Sequence, residues 1–177
     1  MVLEMYPAWQ ATPQDELPTA RDVIEAAREL EDEYARARSN RKRELLNRAF
    51  LGRFNPELYQ QGMTQMLWEY VCELEYPEAR LLAELVTTVK AQLAEHSPSA
   101  QFMPDERPSV RYTAREVQIK KADVRAELAR RLARQGLAEV DEHAYVVNVA
   151  PNLGVGELLR EFIWGEGDLP SPANEEP

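Results

Sequence analysis

The sequence predicts a mainly α protein with a small α+β part, an antiparallel helical bundle followed by a strand-helix-hairpin-helix module. Three observations lead there. Nine of the twelve prolines fall in three groups: Pro7, Pro13 and Pro18; Pro98, Pro104 and Pro108; Pro170, Pro172 and Pro177. Proline's fixed φ and missing N–H exclude it from helix interiors and central strands, so these groups mark boundaries. Between the first two groups apolar residues recur every three or four positions, and beyond the second the period falls to two before turning helical again. The chain of 177 residues thus divides into an extended arm over 1–18, a helical bundle over 19–97, a linker over 98–108, a small α+β module over 109–164 and a flexible tail over 165–177. No internal repeat is visible.

In chain order, Thr19 and Asp22 have the spacing of a capping box, in which hydroxyl and carboxylate satisfy N–H groups left over at a helix start. Val23, Ala27, Leu30, Tyr34 and Ala37 then share one face of a first helix over 19–38. Ser39 and Asn40 interrupt it, and Leu45, Leu46, Ala49 and Phe50 resume the period before Gly52. Asn55-Pro56-Glu57 is a second start signal, an N-cap followed by proline at the first helical position and an acid against the dipole. Tyr59, Met63, Met66, Leu67, Tyr70, Val71 and Leu74 mark the inward face of a single helix, weakened by about 1 kcal/mol at Gly62. Pro77 restarts the chain into a helix carrying Leu82, Leu85, Val86, Val89 and Leu93. Short connections between such amphipathic helices favour antiparallel packing.

After the linker, Val110, Tyr112 and Ala114 alternate with Arg111, Thr113 and Arg115, a half-buried strand running to Ile119. Residues 123–135 read as a helix with Val124, Leu128 and Leu132 inward and Gly136 just past its end. Residues 137–140 and 144–149 form a hairpin around Asp141-Glu142-His143, and Tyr145, Val146, Val147 and Val149 predict a buried second strand. A last helix over 156–164 carries Leu158, Leu159, Phe162 and Ile163.

The formal net charge is -10, which repels phosphate backbones at long range. It is unevenly spread: residues 21–53 sum to +2 and 104–135 to +4, against -5 for 54–103 and -8 for 136–177. Cys72 is the only cysteine, so this chain alone builds no internal disulfide and no cysteine zinc site, and a reducing compartment is expected. No Lys or Arg precedes Arg21 and no apolar stretch of signal length is present, so secretion by a signal peptide is not expected. Residues 143–156 are uncharged but shorter than the ~20 apolar residues of a membrane span. The expected location is the cytoplasm or a particle assembled there, without membrane contact.

Lys120, Lys121, Arg125, Arg130, Arg131 and Arg134 lie on or beside one helix, which runs through Gly136 into the hairpin. Over residues 120–149 this resembles the recognition helix and wing of winged-helix DNA-binding domains, and the resemblance implies duplex contact through Lys121, Arg125, Arg130, Arg131 and Arg134. A strand stands where that family places two further helices, and Glu139, Asp141 and Glu142 give the wing the wrong sign for phosphate. Gly154-Val155-Gly156 sits between strand and helix, the setting of a phosphate cradle, but the third glycine and the acidic partner of a dinucleotide site are missing. His96 and His143 lack ligand partners at helical spacing. Cys72 has no basic sequence neighbour to favour thiolate, and carboxylate pairs such as Glu69 with Glu73 need burial before they can act as acid and base. No catalytic, cofactor or metal site is expected.

Tyr6 and Trp9 on the arm are costly to leave in water, and with Trp164 they are the candidate partner-binding residues. The function expected is that of a non-enzymatic structural or interaction protein, a subunit or adaptor of a larger assembly such as a connector-type particle or virion. Its partners would be copies of itself or other assembly subunits. One alternative is a winged-helix-like DNA-binding regulator, disfavoured by the net charge. Another is an acidic inhibitor that docks on a basic partner through residues 136–177.

Overall fold

The computed structural model describes Pro13 and residues 17–95, 109–113, 119–143 and 146–165. The elements are α1 (Ala20–Arg36), α2 (Asn40–Gly52), α3 (Pro56–Gln60), α4 (Thr64–Glu73), α5 (Tyr76–Glu95), β1 (Val110–Thr113), α6 (Ile119–Arg134), β2 (Ala138–His143), β3 (Val146–Pro151) and α7 (Leu153–Trp164). The protein is mainly helical with one small antiparallel sheet, as the periodicity predicts. Its contacts separate it into two compact units, one running to Tyr76 and resuming at Glu161, the other holding residues 77–160. The proline-rich stretch 98–108 falls between α5 and β1, within the span of the second unit.

In the first unit the helix starts follow the polar signals. The Thr19 hydroxyl accepts from the Asp22 amide at 3.2 Å while the Asp22 carboxylate accepts from the Thr19 amide at 2.7 Å, closing the capping box. Ser39 caps α2, accepting from the Lys42 amide at 3.0 Å, and Asn55 caps α3. The long helix expected from residue 56 onward is two helices. Gly62 takes a left-handed φ of 68°, and behind it Met63 N–H reaches Leu58 C=O at 3.1 Å and Gly62 N–H reaches Tyr59 C=O at 2.9 Å. This paired closure ends α3 after little more than a turn. Beyond the break Leu67, Val71 and Leu74 of the expected face are buried, but Met66, also expected inward, is 38% exposed. Leu45, Leu46, Leu58, Leu67, Val71, Leu74 and Phe162 are fully buried here, each worth about 1.5–3 kcal/mol of burial. Trp68, outside the expected stripe, is buried as well.

In the second unit the sheet order is β1-β3-β2, all antiparallel, with Val149 opposite both Val110 and Val140. Four expectations are corrected. Ile119 begins α6 rather than ending a strand, so that helix starts four residues earlier than residue 123. Asp141, Glu142 and His143 lie inside β2, not in the turn, and His143 pairs with Val146. Val124 is 59% exposed, and the buried side of α6 is carried by Ala126, Ala129 and Leu132 instead. The small alanines bring the helix backbone close to its support, and the face rotates accordingly. Gly136 ends α6 with φ 73°, as its position predicts. α7 begins three residues before the expected start, with Gly156 N–H bonded to Asn152 C=O at 2.8 Å.

Candidate functional site

Two places carry the residues singled out by sequence, the outer face of α6 and the end of α7. On α6 every arginine meets a carboxylate. Arg125 Nη2 lies 3.4 Å from Glu84 Oε2, and Arg131 Nη1 lies 3.4 Å from Glu78 Oε1. Arg130 donates through Nε to Glu142 Oε1 at 2.6 Å and through Nη2 to Glu142 Oε2 at 3.2 Å, a two-point contact from helix to hairpin. Arg130, Arg131 and Arg134 also converge on Glu127 at 3.4, 3.5 and 3.6 Å. Hydrogen bonds from Arg130 hold the Glu127 and Glu142 carboxyls below their ordinary range and raise Arg130 in turn. Four arginines thus face four glutamates, Glu78, Glu84, Glu127 and Glu142, and these described charges cancel. Of Lys121 only the backbone, inside α6, is described.

Arg131 also explains a buried acid. Glu78 is 4% exposed, and a carboxyl group taken out of water needs polar partners to replace its lost hydration. Its position was readable: it precedes Leu81, Leu82 and Leu85 at spacings of three, four and seven, so it shares their buried face. Its partner, 53 positions away, was not.

At the other place, in the first unit, Leu51, Pro56, Ile163 and Trp164 line a groove of about 630 Å³ with Arg48, Glu57 and Glu161. Leu51 is 43% exposed. The indole Nε1 of Trp164 is buried and has no hydrogen-bond partner among the described residues, although a buried Trp N–H ordinarily finds an acceptor. The groove's floor is held close by Gly52. A Cβ on that residue would stand 1.9 Å from the Phe162 carbonyl oxygen, so only glycine lets α2 and the end of α7 approach this far. Tyr6 and Trp9, the other two partner-binding candidates, lie outside the described residues, as do His96 and the arm and tail, apart from Pro13, residues 17–18 and Gly165.

The remaining sequence features acquire structural explanations. Gly156 is a packing glycine: a Cβ there would lie 2.9 Å from Val86 Cγ2. Gly154, by contrast, has only Asn152 Oδ1 at 3.7 Å. Cys72 borders a recess of about 360 Å³ with Glu29, Asp32, Glu33, Glu69 and Glu73. Burial, and then the Glu33 carboxylate, push its thiol up to about 11, so it is protonated near neutrality and poorly suited to nucleophilic attack. Among the described residues no three His, Cys, Asp or Glu side chains are grouped to hold a metal ion, and no described helix is long and apolar enough to cross a membrane.

One residue absent from the sequence-based candidates stands out. Lys42 is 6% exposed, and its ammonium donates to the carbonyls of Val71 at 2.7 Å and Cys72 at 3.0 Å and to that of Leu74. The signal was its place three and four residues before Leu45 and Leu46, on the buried stripe of α2. Compared with protein-family models, with curated proteins and with solved structures, the chain shows no match.

Proposed function

We propose that this protein is a non-enzymatic assembly component, a subunit or adaptor that holds neighbouring chains by apolar contacts. The observation that carries the reading is the groove beside Trp164. It combines an exposed leucine, a proline and an aromatic ring whose N–H has no acceptor among the described residues, and large aromatics in partly dry pockets are the usual anchors of protein interfaces. A connector-type or virion particle is one setting in which such a subunit would serve.

The DNA-binding reading has less support, because the arginines it needs are balanced by glutamates that counterion release would first have to free. The acidic-inhibitor reading rests on the charge of residues 136–177 alone. Light scattering behind size exclusion, over a wide range of protein concentration, tests the assembly reading. The expected mass exceeds the 20.3 kDa of one chain, rises with concentration, and falls back in Leu51→Glu, which puts a charge in the groove. A single-chain mass at every concentration would count decisively against it.

A further inference from the structure

We infer that the exposed row Ile24, Arg28, Glu31 and Ala35 on α1 is a docking surface for α1 of a second copy of this chain, the two helices lying antiparallel about a two-fold axis. The inference adds an interface to the assembly reading and makes no use of the groove. Three observations support it. The first is that α1 is less covered than its sequence calls for. Val23, Ala27, Leu30 and Tyr34, expected inward, are only half-buried, and Ala26 is the one buried residue of this 17-residue helix. Part of the apolar stripe therefore borders the solvent side, where Ile24 is 53% exposed and Arg28, Glu31 and Ala35 are exposed as well. Spacings of four, three and four keep these four residues in line along one side of the helix.

The second observation is the state of the charges. The half-buried acids of α1 are engaged: Asp22 closes the cap and accepts from the Tyr59 hydroxyl at 3.1 Å, Glu29 meets Arg53, and Glu33 meets Arg36. In the exposed row, Arg28 and Glu31 have no ion-pair partner among the described residues. The third observation is that the row is complementary to its own reverse. A register that sets Arg28 against the partner's Glu31 also sets Glu31 against the partner's Arg28. The same register seats Ile24 over the partner's Ala35 at both ends. Two opposite-charge pairs are thus flanked by two large-on-small apolar pairs, as an isologous contact requires. The 4-3-4 spacing suits a shallow left-handed crossing, and the alanine leaves the hole that the isoleucine fills. Parallel pairing would set arginine on arginine and glutamate on glutamate, so the charges select the antiparallel arrangement.

Charge exchange in the full chain tests this, read by sedimentation over a range of concentrations. Arg28→Glu and Glu31→Arg should each weaken self-association by about tenfold, since two attractive pairs per dimer become two repulsive ones. Mixed in equal amounts, the two variants should associate with each other, because both central pairs are then opposite in sign again. Arg28→Glu/Glu31→Arg in one chain should restore self-association for the same reason. Recovery on mixing is a result that misfolding of either variant cannot produce. Single variants that associate as the unaltered chain does overturn the inference and leave the assembly reading standing. So does a mixture no more associated than its parts. A single-chain mass for the unaltered protein at every concentration overturns both.

Discussion

Lys42 and Val71, 29 positions apart, meet through a 2.7 Å bond from ammonium to carbonyl, and this contact ties α2 to the end of α4. The last carbonyls of a helix have no partner within it and sit at the negative end of its dipole. A buried ammonium with three donors satisfies three of them at once. Each partner makes the other's burial tolerable. Lys42→Met keeps much of the stem's volume but strands the carbonyls, so it should lower unfolding stability by about 2–4 kcal/mol. Lys42→Arg should recover less than half of the loss, because a planar fork cannot converge on three acceptors as an ammonium does. Urea unfolding of the three proteins measures this, and a loss below 1 kcal/mol in the methionine variant would show the contact to be incidental.

Gly52, Gly62, Gly154 and Gly156 should respond in opposite directions to a single methyl group. At Gly52 the added carbon meets the Phe162 backbone at 1.9 Å, so Gly52→Ala should cost about 3 kcal/mol or more. Gly156→Ala presses on a side-chain end, Val86 Cγ2 at 2.9 Å, and should cost about 1–3 kcal/mol. Gly62→Ala has space but a φ of +68° and should cost about 1 kcal/mol. Gly154→Ala has neither obstacle and should stabilise by about 0.4–1 kcal/mol. Thermal melts of the four variants check the order, and a destabilised Gly154→Ala would revive a role for that glycine beyond helix entry.

The acid limb of stability should run through carboxylates already visible at helix starts and in the α6 ion pairs. Asp22 is held below its ordinary 3.8, first by the Thr19 hydroxyl and then by the Thr19 amide. A depressed folded value means stability that is present above 3.8 and lost as pH falls through the lower, folded value. Glu127 and Glu142, lowered from 4.5 by Arg130, act in the same direction. Melting temperature should therefore fall below pH 4.5, and Asp22→Asn should both lower it at neutrality and flatten the acid limb. An acid limb unchanged in that variant would remove the capping box as a contributor.

Cys72 should be slow to alkylate. With its thiol raised from 9.0 to about 11, the thiolate fraction at pH 8 is about a hundredfold smaller than that of an ordinary cysteine. Iodoacetamide should react correspondingly faster with the urea-unfolded chain, and the folded rate should keep climbing toward pH 11. Because the folded value is the higher one, the stability this thiol contributes is complete below 9 and is lost as pH rises through 11. A folded rate that levels off near pH 9 would mean the thiol is neither shielded nor opposed by Glu33.

What the chain discloses before folding depends on how local the cause is. Thr19, Asn55 and Gly136 act within four residues, so their caps can be read directly and are found where expected, while Ser39, read only as an interruption, caps α2. Gly62 was visible as a weak point, but whether a helix tolerates a glycine or ends there depends on what the next turn packs against. The facing of α6 shows the same limit: Val124 and Leu128 satisfy the helical period as well as Ala126 and Ala129 do, and only close approach to a support selects the alanines. Site residues were least legible where their partners are remote. The basic helix could be recognised, but Glu84, Glu78 and Glu142, which neutralise it, stand 41, 53 and 12 positions from their arginines.

That neutralisation leads to the last prediction. A duplex-binding face gains affinity by exchanging condensed cations for fixed positive charge, and its binding weakens steeply with salt. On α6 the described guanidinium groups already face carboxylates, with Arg130 forked on Glu142, so approach of a phosphate would have to break a bidentate pair first. The intact chain should show no salt-dependent anisotropy change with labelled duplex DNA even at low ionic strength. Glu127→Gln/Glu142→Gln removes the two acids that engage Arg130 and should make weak binding, steeply dependent on salt, measurable for the first time. If the unaltered chain binds duplex and Arg130→Glu/Arg131→Glu abolishes it, the glutamates are not masking the arginines and the DNA-binding reading displaces the assembly reading.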